Sequence, residues 1–81
     1  MDTDTYELFY STGGHTGPFT GFETAKKAAM DRLNGNQNER YVNVCPRGAA
    51  WTGGFGPAVG RAYTRAYEHV AIWVDLRGGK P

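Results

Sequence analysis

The sequence predicts a small α+β domain in the order β-α-β-(α)-β, a three- to four-stranded sheet with one capped helix packed on one face. Three observations predict it. Phe22, Ala25, Ala29 and Leu33 recur at helical spacing behind a capping signature. Two segments, 40–45 and 69–76, alternate with period two. Glycine and proline clusters separate these elements, and 81 residues are enough for one domain near the lower size limit for folding without staples.

The elements follow in order. Tyr6-Glu7-Leu8-Phe9-Tyr10-Ser11 is aromatic and alternating, and reads as a strand. It ends at Gly13-Gly14-His15-Thr16-Gly17-Pro18, a turn cluster, with Phe19 opening at most a very short returning strand. Thr20-Gly21-Phe22-Glu23 has the form of a capping box, in which the threonine oxygen accepts from a first-turn N–H and Glu23 reaches back. The helix then covers about 21–34, with Glu23, Lys27 and Asp31 on its polar side and Asn34-Gly35 as a left-handed stop. Val42 and Val44 mark one face of the next strand, which runs from Arg40 to Cys45 and is closed by Pro46. Residues 46–57 are glycine-rich and irregular, yet hold Trp51 and Phe55.

Residues 58–68 admit two patterns. Val59, Ala62, Tyr63, Ala66, Tyr67 and Val70 fit a helix, and Pro57 suits its first position. Arg61, Tyr63, Arg65 and Tyr67 equally form one side of a strand, whose other side of Ala62, Thr64, Ala66 and Glu68 makes a poor core. The helix is the favoured reading. His69 to Leu76 is the last strand, with Val70, Ile72, Val74 and Leu76 assigned to the core, and 77–81 is a frayed tail.

The core is thin in aliphatics: Leu8, Leu33, Leu76, Ile72 and five valines. Aromatic rings make up the deficit, since each buries about 150–250 Å². Self-association into a homo-oligomer is a further route to stability for so small a core. A single cysteine, Cys45, forms no internal disulfide, which points to a reducing compartment. The opening Met1-Asp2-Thr3-Asp4 has no apolar run of the signal-peptide kind, and no stretch reaches the ~20 apolar residues of a membrane span. A cytoplasmic protein with no membrane partner is the expectation.

Catalytic and metal chemistry find little support. No GxGxxG or GK[ST] loop occurs. Ser11 with His15, and Cys45 with His69, are the only nucleophile–base pairings on offer, and neither has a visible orienting group. His15, Cys45 and His69 are scattered singly, unlike the paired spacing of zinc ligands. The chain therefore reads as non-enzymatic, without metal or cofactor.

Charge is segregated. Residues 1–39 carry six acids against three bases, whereas 40–67 carry four arginines and no acid. In that basic segment Arg47, Arg61 and Arg65 interleave with Trp51, Phe55, Tyr63 and Tyr67. Tryptophan, tyrosine and arginine are the residues of protein hot spots. They also bind single-stranded nucleic acid, with charge on the backbone and rings under the bases. A third reading folds these rings over the second face of the sheet as a substitute core. The net charge of +1 favours a protein partner, because nucleic-acid modules are usually far more basic. The candidate partner-binding set is Arg47, Trp51, Phe55, Arg61, Tyr63 and Arg65.

One resemblance adds to this. Tyr6-Glu7-Leu8-Phe9-Tyr10, the glycine turn, Gly17-Pro18-Phe19 and the capped helix from Thr20 resemble the openings of short α+β accessory proteins of phages and mobile elements. It covers roughly the first 35 residues, through turn and cap signals. Some members of that group inhibit host defence systems. The resemblance implies a non-enzymatic protein that binds a host complex, and it transfers no functional residue.

Overall fold

The computed structural model describes residues 3–34, 38–48, 56–64 and 70–76. These form one helix and five strands: β1 (Thr5–Tyr10), β2 (His15–Thr20), α1 (Phe22–Asn34), β3 (Tyr41–Pro46), β4 (Gly60–Thr64) and β5 (Ala71–Asp75). The strands make a single antiparallel sheet in the order β2-β1-β3-β4-β5. The helix covers one face. Phe22, Ala25, Ala29 and Leu33 point down onto Tyr6, Leu8, Val42, Val44, Ala62 and Ala71, all buried. The alanines bring the helix close to the sheet, and the expected helical face is the observed one.

Strand β2 is longer than the turn reading allowed. It runs from His15 to Thr20 and pairs with β1 through a bulge, where Gly17 and Pro18 oppose Glu7 alone. Proline is tolerated there because β2 is an edge strand and its missing N–H breaks no inner ladder. The strand also claims Thr20, which pairs with Thr5. Gly21 takes the cap position instead: its carbonyl accepts from Ala25 N at 3.1 Å and its N–H donates to Asp4 O at 2.8 Å. A φ of +91° at that residue is what glycine permits and a side chain resists.

The favoured helix over 58–68 is overturned at its centre. Gly60–Thr64 is strand β4, paired to β3 with Val42 opposite Ala62 and Tyr41 opposite Tyr63. Residues 65–69 lie outside the described set. The last strand also faces the other way. Ala71 is buried in the core and Trp73 packs against it, whereas Val70 is 66 % exposed and Ile72 and Val74 point away from the helix. A shift of one residue exchanges every side chain between faces. The cause is volume. Trp73, opposite Ala62, occupies the space that the small residues of β4 leave, and its ring meets Phe22 edge-on at 5.7 Å. A poor inner face on β4 is therefore filled from β5.

One end of the sheet is clamped by a buried carboxylate. Glu39, 2 % exposed, accepts from Ser11 Oγ at 2.8 Å and Thr12 Oγ1 at 2.7 Å, and pairs with Arg32 Nη2 at 3.3 Å. The Arg32 guanidinium lies over the Tyr10 ring at 4.6 Å. Burial alone raises a carboxyl pKa; here the bonds from Thr12, Ser11 and Arg32 outweigh it and hold Glu39 below the ordinary value. The cluster ties the β1–β2 turn, the helix C-terminus and the start of β3 together.

Candidate functional site on the sheet face away from the helix

Strand alternation sends Glu7, Phe9, Tyr41, Asn43, Cys45, Arg61, Tyr63, Ile72 and Val74 to the face opposite α1. Pairing aligns them in rows. One row crosses all five strands as His15, Phe9, Asn43, Arg61 and Val74, and a second joins Tyr41, Tyr63 and Ile72. Asn43 and Cys45 are fully buried although they point away from the helix.

Arg61 is the organising residue. Its Nε donates to Asn43 Oδ1, and its guanidinium lies over the Tyr41 ring at 4.4 Å. Burial draws its pKa below the ordinary arginine value, with Tyr41 and Cys45 acting in the opposite sense. The group stays charged at neutral pH because a guanidinium starts so far above it. Beside it lies a depression of about 390 Å³ lined by Arg40, Tyr41, Arg61, Tyr63, Thr64 and Val74. Main-chain bonds hold its rim: Arg40 N donates to Ser11 Oγ at 2.8 Å, and Thr64 N donates to Arg40 O at 3.2 Å.

Of the sequence-predicted residues, Arg61 and Tyr63 share this depression. Arg47 does not. It stands past the far end of β3, in a second depression of about 380 Å³ with Asp4, Thr5, Tyr6, Pro46 and Val59. Trp51, Phe55 and Arg65 lie outside the described residues. Sequence reasoning left out Arg40, Tyr41, Thr64 and Val74. A signal was present, since Arg40-Tyr41 and Arg61-x-Tyr63 are Arg/Tyr pairs, the first on a predicted strand and the second in the segment where a strand is the less favoured pattern, but only strand pairing sets Tyr41 opposite Tyr63.

No family model, curated protein or solved structure matches this chain.

Ser11 Oγ donates to Glu39 and accepts from Arg40 N and Tyr41 N, while the His15 ring stacks on Phe9 at 5.3 Å. Each has a structural partner and neither is bonded to the other. Cys45 lies opposite Glu7. Burial, with the Glu7 charge adding, pushes its thiol up to about 11 despite the pull of Arg61. A thiol with that pKa is neutral at pH 7 and a poor nucleophile. His69 lies outside the described residues. Among the described residues no three His, Cys, Asp or Glu side chains are grouped to hold a metal ion, and no helix is long and apolar enough to cross a membrane.

Proposed function

We propose that this chain is a non-enzymatic docking protein that binds a larger protein or protein complex through the face formed by β3, β4 and β5. The observation that supports the reading is the Tyr41–Arg61–Tyr63 wall, in which a partly buried guanidinium, pre-oriented over the Tyr41 ring, shares with Tyr63 the lining of a depression of about 390 Å³. Hot spots are built from such residues, with arginine and aromatic rings at the centre of a contact. Pre-orientation reduces the entropy lost on binding. By its resemblance to phage and mobile-element accessory proteins, the partner is a host complex and the effect on it inhibitory.

The rival is single-stranded nucleic acid, read by stacking. That mode needs ring faces open to bases. On this sheet Arg61 covers one face of Tyr41, and His15 stacks on Phe9. Protein docking is the better fit.

The test is capture from host extract by immobilised chain, comparing wild type with Tyr63→Ala and Trp51→Ala, followed by hydrogen-exchange footprinting of the complex. Expected is a protein retained at moderate salt, lost with Tyr63→Ala in a folded variant, and protecting amides of β3 and β4. Trp51→Ala should weaken capture more than Arg61→Ala or Arg65→Ala does. Capture that nuclease abolishes, or that is indifferent to Tyr63, would overturn the proposal.

A further inference from the structure

We infer that the segment docked on this face is acidic, and that a carboxylate side chain of the partner protein enters the depression between Arg40 and Arg61. This rests on the docking reading above and names the chemistry of its partner.

Among the described residues the lining has one sign: its polar side chains are two guanidiniums, two phenols and the Thr64 hydroxyl, with no carboxylate among them. Guanidiniums only donate hydrogen bonds, and phenol and threonine hydroxyls donate readily, so a carboxylate, which only accepts, is complementary in charge and in hydrogen-bonding sense to this lining. The acid nearest in sequence is committed elsewhere. Glu39 precedes Arg40, but its carboxylate is buried against Ser11, Thr12 and Arg32 at the other side of the strand. It leaves the Arg40 side chain exposed at the rim, with no ion pair or side-chain hydrogen bond among the described residues.

The two arginines differ in preparation. Arg61 is already oriented by Asn43 and Tyr41, so its planar fork meets a carboxylate with little further loss of freedom. Arg40 has a fixed main chain, bonded through both its N–H and its carbonyl, and an exposed side chain that lines the depression. Asn43 Nδ2, on the same face, is a buried donor with no acceptor among the described residues. Val74 and the Tyr63 ring supply the apolar wall against which the methylenes of a glutamate lie. Phosphate of a nucleic acid shares the negative charge, but its bases would have to compete with Arg61 for Tyr41 and with His15 for Phe9.

The experiment is a titration of isotopically labelled full chain, followed by amide chemical shifts, with an oligo-glutamate peptide as probe. Oligo-glutamine and a single-stranded oligonucleotide of equal length are the controls. Oligo-glutamate should move the amides of Tyr41, Tyr63, Thr64 and Val74, and oligo-glutamine should leave them in place. Arg40→Gln, a change at an exposed side chain, should weaken the affinity by about tenfold or more, as expected for loss of one charged hydrogen-bond donor, and Arg40→Lys should retain most of it. Added salt should weaken this probe, which carries the charge contact without the ring contacts of a whole partner. The inference is overturned by an unmoved set of amides, by an equal response to oligo-glutamine, by tighter binding of the oligonucleotide, or by unchanged affinity in Arg40→Gln. A host protein captured in a Tyr63-dependent way while oligo-glutamate stays silent refutes the acidic segment and leaves docking standing. Oligo-glutamate binding without Tyr63-dependent capture supports the carboxylate site and removes the docking reading.

Discussion

Gly60 and Trp73 share one volume: a β-carbon on residue 60 would stand 2.1 Å from Cζ2 of the Trp73 ring. The ring packs on the core beside Phe22, with Lys26 Nζ 5.5 Å from its centroid. Gly60→Ala must displace that ring or the strand, and the expected loss is about 1–3 kcal/mol in urea unfolding. Because one clash carries the effect, Trp73→Phe should relieve part of it, so the double variant loses less than the two single losses together. Additive losses, or a neutral Gly60→Ala, would remove this contact from the account of the fold.

Glu39 makes stability sensitive to acid. Its folded-state pKa is held below the ordinary glutamate value, chiefly by the Thr12 and Ser11 bonds acting against burial. A depressed carboxyl contributes stability that is present above the unfolded pKa, about 4.3, and is lost as pH falls through the folded value. Thermal stability should thus be level near neutrality and decline below about pH 4.3. Glu39→Gln should cost about 1–3 kcal/mol at pH 7, since a charged acceptor of several bonds is removed, and should flatten the acid limb. A variant with an unchanged acid limb would show that other carboxyls control it.

The Cys45 thiol should be silent in the native state. It is fully buried and its pKa stands at about 11. Alkylation by iodoacetamide at pH 7 should be slow in the folded protein and rise to the rate of a free thiol in denaturant. Rapid modification of the folded chain would contradict both its burial and its pKa.

The helix start offers a comparison of neighbours. Thr20, exposed and at the end of β2, should tolerate alanine within about 0.5 kcal/mol, as surface positions usually do. Gly21→Ala forces a side chain into φ +91° and should cost about 1–3 kcal/mol. The reverse ranking would mean that Thr20 caps the helix after all.

Local pattern was enough for part of this protein. The helical repeat from Phe22 to Leu33 determined α1 and its buried face, and the alternation around Leu8, Val42 and Val44 determined β1 and β3, because each of these segments buries its own large side chains. Segregation of arginine into 40–67 likewise marked the strands that carry the candidate site. What the tertiary structure alone decided are the features whose cause lies on another strand. Gly60 and Ala62 read as a poor core until Trp73 is seen to fill it, and that same ring turns Ile72 and Val74 to the opposite face. Strand β2 needs β1 as its template and the sheet edge to tolerate Pro18. Arg40 and Tyr41 stand about twenty residues from Arg61 and Tyr63 in the chain, and the two pairs meet only through the β3–β4 register. Hydrophobic period reports which way a side chain points within one element, and carries no information on which neighbour will complete its volume or its charge.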